Sequence, residues 1–445
     1  MTVNSAAESS NITKFEIFFK EGSNPLDVSG AISQLYVYQS LLDWTPRVSA
    51  TFADVGNRIG QEGKAALEKN DLNLTASEKV HLIIKDVREN QISFENDYQL
   101  RIKETRDIVE HTQKTSYTID MFSKEFITNM LNEYNVKRRY SGKVPDTVKT
   151  VLTEVLKTPK NIVVDQGLNN LEVHPHISRP LDLCTWLSPR CIPEGVSNAD
   201  GIRAGYFFYE VVDDGSGNGG YRFKSIDKLL QQEPKKKFIF NNTTSLPAGY
   251  DAKILDYSFD STVDVFRKLQ MGSLHAETRT FDPYSNDFNE PLFAAEKQFE
   301  DESVIAGKEK IPFSDDLKLW DSPSIIRVAF KDIGSLPPGT TLNKQLEKSK
   351  DYENYPVEKI QPQACARYNN LFSIKLSIGI PGDFTLTPGD LVHCDFPEIS
   401  NSEDSAVSDK KSGIYIIVDI CHYITPKSTW TRMNLVRESI YRKPM

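Results

Sequence analysis

The sequence predicts an α+β fold that is mostly β, with two β-rich regions, a small α/β region between them and a long insertion in the second β region. Three observations support this prediction. Apolar and polar residues alternate at both ends of the chain, which is the period of a half-buried strand. In the middle of the chain the apolar residues recur with the period of a helix. The stretch 285–365 is charged, contains several prolines and keeps neither period for long.

The N-terminal β region contains short stretches rich in β-branched and aromatic residues, several with apolar and polar residues alternating. They lie at 15–19, 32–38, 47–52, 79–87, 98–109 and 114–122. Together they predict a first β domain at 13–122, preceded by an N-terminal tail at 1–12.

The region 123–248 is predicted to be a small α/β domain, because its apolar spacing changes to i, i+3, i+4 and i+7. An aromatic strand, a Gly-rich tip and a returning strand predict a hairpin over 205–230. Three helices are predicted: 123–134, capped by Ser123 with Phe126, Ile127, Met130 and Leu131 on one face; 146–157, capped by Asp146; and one that begins at Pro180.

The second β domain is predicted at 249–284 and 366–442, with the insertion 285–365 between its two parts. Apolar residues at every second position from Phe372 to Ile380 predict a half-buried strand. Thr387–Asp390 fits a type II turn, because Pro388 presets the first φ and Gly389 supplies the positive second φ. Further strands over 391–396, 412–424 and 428–440 complete a predicted antiparallel meander with glycines at its corners.

The two β regions show a weak internal similarity. Residues 36–54 can be aligned with 257–282, and residues 98–125 with 415–439, in the same order along the chain. This ordered agreement predicts that the second β domain is a duplicate of the first. Two unrelated β domains are the alternative.

The composition excludes some classes of function. The formal net charge of −9 argues against a nucleic-acid-binding protein, which needs a basic surface. The N-terminus shows no export signal and no apolar run reaches the length of a membrane span, so a soluble protein made in a cytoplasm is expected. The scattered cysteines predict buried reduced thiols at Cys184, Cys191, Cys365, Cys394 and Cys421.

The sequence contains no motif that predicts catalysis, a cofactor or a metal site. Asp383 and Asp390 are predicted to be hydrogen-bonding residues of turns rather than a catalytic pair. His174 and His176 are predicted to lie in a surface loop rather than at a metal. The Gly-rich stretch 213–220 is predicted to be a mobile hairpin tip rather than a calcium loop, and the basic run 235–237 a solvated loop.

Three blocks of the sequence resemble a known family. "RYNNLFSIKLSIGIPGDFTLTPGDLVHCDFP" followed by "SGIYIIVDICHYITPKSTWTRMNLVRES" resembles the C-terminal signature of the central baseplate hub protein of contractile-tailed bacteriophages. "SRPLDLCTWLSPRC" with "GYFFYE" and "GYRFKSIDKLL" is similar to the middle domain of that family. The insertion 285–365 has no part in the resemblance. The signature residues in this chain are Pro381, Gly382, Pro388, Gly389, Asp390, Gly413 and Tyr415.

The resemblance implies a structural virion protein, with no enzymatic activity and no cofactor. It implies a homotrimer in which two tube-like β-barrel or sandwich domains per chain place six similar domains around one axis. Such a ring adapts a hexameric tail tube protein to a trimeric central spike or tail lysozyme protein, and baseplate wedge proteins are further candidate partners. It also encloses an axial channel in the virion tail baseplate, through which DNA passes without specific binding.

Two other interpretations remain open. The hub part of the spike proteins of type VI secretion systems has the same architecture, although those chains usually continue into an OB-like domain and a β-helix. A β-rich protein that binds or degrades the cell wall, with Trp44, Trp186 and Trp430 as stacking platforms, is the alternative from another class. Core packing of these three side chains is the favoured interpretation.

Overall fold

The structure is a computed structural model, and it confirms a mostly β chain with helices. No helix within its described part is long and apolar enough to cross a membrane. The residues that it describes are 9–19, 25–55, 77–111, 114–174, 176–195, 203–241, 245–261, 264–283, 285–294, 323–334, 340–398, 407–408 and 411–438.

The first β region forms one antiparallel arrangement of strands, which we call the N-terminal half-sheet. Its strands are β1 (Asn11–Phe18), β2 (Leu26–Asp27), β3 (Ile32–Ser40), β4 (Arg47–Val55), β5 (Lys79–Lys85), β6 (Gln91–Phe94), β7 (Leu100–His111) and β8 (Lys114–Ser123). They pair in the order β3-β4-β8-β7-β5-β1-β2, with β6 beside β5. One face of these strands is buried, and Phe15, Leu35, Val48 and Phe52 are among its fully buried side chains.

The middle region combines short helices with two small sheets. Its elements are α1 (Lys124–Thr128), β9 (Tyr140–Lys143), α2 (Val144–Thr150), β10 (Ile162–Val164), β11 (Asn170–Val173), α3 (Pro180–Leu187), β12 (Tyr206–Val211), β13 (Gly220–Ser225) and α4 (Ile226–Leu230). β12 and β13 form the predicted hairpin, with β10 parallel to β13. β9 and β11 form a separate antiparallel pair.

Two of the three helices predicted in the middle region differ from the prediction. α1 is much shorter than 123–134: Met130 and Leu131 are exposed, and no side-chain capping bond is found at Ser123. α2 begins before Asp146, so Asp146 lies in its first turn and is not its cap; the helix continues as a π-helical turn over 151–155. The third helix begins at Pro180 as predicted.

The remaining elements lie between residues 236 and 437. They are β14 (Lys236–Ile239), β15 (Ala252–Lys253), β16 (Asp256–Ser261), α5 (Val265–Gln270), β17 (His275–Asp282), β18 (Asp287–Asn289), β19 (Leu292–Ala294), β20 (Ile325–Phe330), α6 (Leu342–Asp351), α7 (Val357–Leu371), β21 (Ile374–Pro381), β22 (Leu391–Asp395), β23 (Gly413–Ile424) and β24 (Thr429–Arg437). β14–β16 and β21–β24 form what we call the C-terminal half-sheet. The basic run 235–237 is therefore mostly a strand, because Lys236 and Lys237 belong to β14, which pairs with β22.

The C-terminal strands are antiparallel, but they do not form the predicted meander. β22, β23 and β24 pair consecutively, whereas β21 pairs with β24 and not with β22. The stretch 382–390 therefore crosses from one edge of the half-sheet to another instead of closing a hairpin. The turn within it is present as predicted: Gly389 has a φ of 89°, and the Asp390 amide donates to the Thr387 carbonyl over 3.2 Å.

The two half-sheets share one strand order. The N-terminal half-sheet has β3-β4-β8-β7-β5 and the C-terminal half-sheet has β16-β21-β24-β23-β22, with antiparallel neighbours throughout and with the corresponding strands in the same sequence order. The next strand differs, since β1 is antiparallel to β5 whereas β14 is parallel to β22. The alignment of 98–125 with 415–439 agrees with this order. The alignment of 36–54 with 257–282 is wrong in its second part, because β21 and not β17 corresponds to β4.

The register of the two half-sheets matches around one bulge. β7 and β23 each carry an unpaired bulge residue at the equivalent place, Lys103 against β8 and Val418 against β24; β7 has a second irregularity between Arg106 and Val109 that β23 lacks. Immediately after the bulge, a row of paired residues crosses four strands in each half-sheet. The two rows are Tyr36, Ser49, Asp120 and Glu104 in the first, and Ser258, Ser377, Asn434 and Asp419 in the second.

Described parts of the insertion form a sheet that is separate from the two half-sheets. β17 pairs with β18 and β19 on one edge and with β20 on the other, although its residues were assigned to the second β domain. α7 packs against this sheet, with Ala276 and Ala366 both buried at the contact. The insertion therefore contains regular structure that its weak periodicity did not predict. Residues 295–322 and 335–339 of it lie outside the described residues.

Gly389 provides a test of the turn. A Cβ at this position would lie 2.8 Å from the Tyr209 hydroxyl and 3.2 Å from Leu229 Cδ2. We expect Gly389→Ala to lower the free energy of unfolding by roughly 2–4 kcal/mol, from the positive φ and from the clash together. Gly217→Ala is the matched control: its φ is 80° and no atom lies within 4 Å of the added Cβ. Chemical denaturation of both variants checks this, and equal losses would contradict it.

Candidate functional site: the strand that joins the two half-sheets

β23 pairs with three strands and so connects the two half-sheets. β24 covers one of its edges. On the other edge, residues 413–416 pair with β22 of the C-terminal half-sheet and residues 419–424 pair with β3 of the N-terminal half-sheet. The two half-sheets are therefore one continuous sheet of fifteen strands in the described part of the chain.

A bulge marks the point where β23 changes partner. Val418 has no partner on β24, and its carbonyl accepts a hydrogen bond of 2.7 Å from the amide of Leu41, directly after β3. The next residue, Asp419, accepts bonds from the Ser40 hydroxyl at 2.6 Å and from the Asn434 side-chain amide at 3.0 Å. Because bulges bend a strand and increase its twist, this one allows β23 to follow two sheets.

Aromatic side chains cover the outer face of this junction. The Tyr36 and Tyr423 rings are stacked with centroids 4.7 Å apart, and Tyr38 stacks on Tyr36 at 6.0 Å. Burial raises the pKa of Tyr38 to about 12, so its hydroxyl stays neutral at physiological pH. Trp430, which pairs with Tyr423 from β24, has 37% of its surface exposed. Cross-strand aromatic pairs of this kind stabilise the register of a sheet.

The predicted turn residues attach to the same strand. The Gly389 amide donates to the Ile417 carbonyl over 2.8 Å, and the Ile417 amide donates to the Asp390 carbonyl over 2.9 Å. The Asp390 carboxylate accepts from the Thr387 amide at 2.8 Å and forms an ion pair with Lys235 at 2.8 Å. Asp383 likewise accepts from Thr385. Both aspartates are therefore hydrogen-bonded turn residues, as predicted.

The other signature residues lie at the two ends of the C-terminal half-sheet. Pro381 pairs with Trp430, and the Gly382 amide donates to the Thr429 carbonyl over 3.0 Å. At the opposite end, Tyr415 is fully buried, and the Arg437 guanidinium lies 4.7 Å from the centre of its ring. Gly413 has a φ of 140°, and a Cβ there would lie 2.8 Å from Arg437 Nη1. The structure thus distributes the signature residues around β23 and β24 and does not gather them at one point.

A cleft of about 1140 Å3 lies between the N-terminal half-sheet, the β12–β13 hairpin and the turn at 384–390. Several charged side chains at its rim form ion pairs, as Lys85 does with Glu89 at 3.0 Å. The Asp213 carboxylate accepts bonds from the amides of Gly215 and Gly219 and so holds the Gly-rich tip. Within the described part of the chain, no group of three or more His, Cys, Asp or Glu side chains could hold a metal ion.

The other residues that the sequence analysis considered are aromatic side chains, a histidine and free thiols outside the cleft. The His176 ring packs edge-on against Trp186, and Trp44 and Trp186 both pack against the core of the middle region. The core packing expected for Trp430 is wrong, because this side chain lies on β24 apart from that core and is partly exposed. Cys184, Cys191 and Cys394 are buried free thiols as predicted, whereas Cys365 and Cys421 are free but only partly buried.

A buried charge cluster joins the N-terminal half-sheet to the middle region. Lys160 Nζ lies 2.6 Å from a carboxylate oxygen of Glu125 and 2.6 Å from one of Glu210. The Ser123 hydroxyl, at the end of β8, donates to Glu210 at 3.1 Å, and the Thr158 hydroxyl donates to Glu125 at 2.8 Å. None of the three charged side chains is more than 3% exposed.

The cluster contains two carboxylates and one ammonium group. Burial raises the pKa of Glu210 to about 7, against the attraction of Lys160. The pKa of Glu125 is lowered, because the attraction and hydrogen bonds of Lys160 and Thr158 together outweigh its burial. Burial lowers the pKa of Lys160, but its two carboxylate partners outweigh this effect and the pKa is raised overall. Glu210 is therefore the member of the cluster that takes up a proton near neutral pH, which brings the cluster closer to neutrality.

The sequence analysis did not predict this cluster. One signal was present: Glu210 lies in the run "YFFYEVV", where a charged residue interrupts a strand of otherwise apolar and aromatic residues. Buried charges are paired because an unpaired one is costly. That signal predicts a partner for Glu210, but it does not identify Lys160, which lies fifty residues earlier.

The described strands and helices have a fold that is also found in a solved tail protein. The structure is similar to that of the tail protein from Neisseria meningitidis MC58, with a TM-score of 0.52 and 9% identity over 98% of both chains. The 43 kDa tail protein of prophage MuSo2 from Shewanella oneidensis gives a TM-score of 0.49 and 7% identity over 96% of this chain and 100% of that one.

A third similar structure is a component of the type VI secretion system of E. coli, with a TM-score of 0.45 and 8% identity over 97% of this chain and 79% of that one. No protein-family model matches the chain. No curated protein matches it either. The similarity to the tail protein from Neisseria meningitidis confirms, at the level of the fold, the resemblance predicted from the sequence.

Removal of the lysine tests the charge cluster. We expect Lys160→Met to lower the free energy of unfolding by about 3–5 kcal/mol, because two carboxylates then face each other without a counter-charge. Lys228→Met is the matched control: Lys228 is 49% exposed and lies 3.5 Å from Asp165, so its loss is expected to cost less than about 1 kcal/mol. Chemical denaturation at pH 8 measures the loss in the free energy of unfolding for both variants. Similar losses for the two variants would contradict the buried charge cluster.

Glu210→Gln tests the protonation state. A pKa raised to about 7 in the folded chain, above the ordinary value of 4.5, gives stability that is present below pH 4.5 and is lost as the pH rises to 7. The lowered pKa of Glu125 acts below pH 4.5 and so outside this window. We expect the difference in the free energy of unfolding, wild type minus Glu210→Gln, to decrease as the pH rises from 5 to 8. A pH-independent difference, measured by denaturation in this range, would show that Glu210 is ionised throughout.

Proposed function

We propose that this chain is the central hub protein of a contractile tail baseplate, a structural virion protein that forms a homotrimer. The observation that carries the proposal is the repeated strand order of the two half-sheets, which is what a chain with two similar tube-like β domains requires. Three chains then supply six similar domains around one axis. A ring of this kind presents six-fold contacts to a tail tube protein and three-fold contacts to a spike.

Three further features support a duplicated ring domain. The two half-sheets carry a bulge at the same position in β7 and β23, and the rows that follow it match across four strands. They are joined edge to edge within the chain, through β3 and β23, as neighbouring domains of a ring would be. The fold is that of a tail protein over nearly the whole chain.

The proposed domains follow the sequence boundaries, with the tail at 1–12, tube-like domains at 13–122 and at 249–284 with 366–442, a middle domain at 123–248 and an insertion at 285–365. The proposed partners are the tail tube protein on one face of the ring and the central spike or tail lysozyme protein on the other, with baseplate wedge proteins outside. DNA passes through the axial channel without specific binding, which agrees with the net charge of −9. The proposal includes no cofactor and no catalytic step.

The molar mass in solution tests this proposal. We expect light scattering during size-exclusion chromatography to give about 151 kDa, three times the chain mass of 50.4 kDa. The measurement is made with the protein alone and with candidate spike and tube proteins, because partners that bind only the trimer stabilise it. A mass of one chain under all of these conditions would contradict the hub.

A further inference from the structure

A tyrosine hydroxyl beside the cleft of about 1140 Å3 lacks a hydrogen-bond partner among the residues that the structure describes. It belongs to Tyr209 on β12, which lines the cleft but is only 4% exposed, because its ring belongs to a buried apolar cluster with Leu229. Burial raises the pKa of Tyr209, so the hydroxyl stays protonated and can donate. Buried polar groups are nearly always hydrogen-bonded, since a missing partner is costly. The hydroxyl is thus available to an acceptor that enters the cleft.

A guanidinium group lies next to this hydroxyl. Arg222 pairs with Tyr209 across the hairpin, so the two side chains lie on the same face, and both line the cleft. The guanidinium donates to the carbonyls of Asn218 and Tyr221, but it forms no ion pair with a carboxylate of the described residues. A guanidinium has further N–H donors beyond those two and stays charged in proteins. This part of the cleft therefore has a positive charge without a paired carboxylate.

Two lysines extend the positive charge along the same wall. Lys224 on β13 and Lys228 on α4 both line the cleft. Their ammonium groups contact the same carboxylate oxygen of Asp165, at 3.1 and 3.5 Å. Asp165 is only 4% exposed, and it also accepts a bond of 2.9 Å from the Ser225 amide. Because two ammonium groups share one carboxylate, one positive charge is in excess here.

We propose that this cleft binds a carboxylate-bearing segment of a partner polypeptide. A carboxylate of the segment accepts from the Tyr209 hydroxyl and from the Arg222 guanidinium, and the ammonium group of Lys228 attracts it from the rim. Hydrogen bonds between a guanidinium and a carboxylate are among the strong ones in proteins, because both partners are charged. The inference goes beyond the proposed hub and does not depend on it.

The size and charge pattern of the cleft favour a polypeptide over other anions. Its volume of about 1140 Å3 exceeds the roughly 300–1,000 Å3 of small-molecule sites. Asp213 and Asp214, in the loop that joins β12 to β13, also line it. A nucleic acid carries a phosphate at every residue and would meet these carboxylates, whereas a polypeptide can carry its carboxylates at one end only. The net charge of −9 likewise opposes a nucleic acid.

Binding of a labelled acidic peptide to the full-length protein tests this site. The probe is a fluorescein-labelled peptide in which glutamate and alanine alternate. The reference is the same peptide with glutamine in place of glutamate. Fluorescence anisotropy is measured at about 10 mM salt, where screening is weak. We expect the acidic peptide to bind at least about tenfold more tightly than the neutral one, although the net charge of −9 acts against it.

Tyr209→Phe removes only the hydroxyl. We expect it to weaken binding of the acidic peptide about tenfold, because a hydrogen bond to a charged group is lost. The free energy of unfolding without peptide is expected not to fall, because the hydroxyl has no described partner there. Tyr221→Phe is the matched control: it removes a buried hydroxyl from the other face of the same hairpin and should leave peptide binding unchanged.

Lys228→Gln tests the rim of the site. We expect it to weaken binding of the acidic peptide about threefold, since the ammonium group is partly exposed. Lys103→Gln is the matched control, because Lys103 is 48% exposed and Lys228 is 49% exposed, and each forms one ion pair, with Glu104 and with Asp165. Lys103 lies on β7 outside the cleft, so its replacement should leave binding unchanged.

Four outcomes would overturn the inference. Equal binding of the acidic and neutral peptides would show that the cleft has no preference for carboxylates. Full binding by Tyr209→Phe would place the peptide elsewhere, and a loss of its stability without peptide would show that the hydroxyl already has a partner. Inorganic phosphate that displaces the peptide at a concentration below the peptide's own dissociation constant would show a site for a small anion. None of these outcomes changes the expected mass of the trimeric hub.

Discussion

The backbone pairing of β3 with β23 is the interaction on which the rest of the architecture depends. It satisfies the hydrogen-bonding groups of two strand edges at once and turns two separate half-sheets into one. Without it, β3 would present an open edge next to a face already covered by Tyr36 and Tyr38. The bulge at Val418 is what allows one strand to serve both half-sheets, because it changes the direction of β23 between its two partners.

The middle region is held to this sheet by a different kind of contact. Lys160, Glu125 and Glu210 are excluded from water, so their mutual attraction is strong and their correct placement is obligatory. Such a cluster adds little net stability compared with an apolar contact, but it penalises any other arrangement of the two parts. The sheet junction fixes the half-sheets to each other, and the charge cluster fixes the hairpin β12–β13 against the end of β8.

Local signals predicted the local structure well. The strict alternation from Phe372 to Ile380, the turn at Thr387–Asp390 and the helix start at Pro180 depend on near neighbours, and each is present. The predicted helix at 123–134 is mostly absent, because its apolar side chains at Met130 and Leu131 find no core to pack against. Long-range pairing could not be predicted, since neither the β21–β24 contact nor the partners of Lys160 leave any period in the sequence.

The long separation in sequence between β3 and its partner β23 has a consequence for the order of events during synthesis. The strands of the N-terminal half-sheet come from one continuous stretch, so this part can form while the ribosome is still making the middle region. Its edge strand β3 pairs with residues 419–424, which are synthesised nearly four hundred residues later. A nascent chain interrupted in the insertion would thus keep an unsatisfied edge, a target for chaperones, because the strand that pairs with β3 has not yet been made.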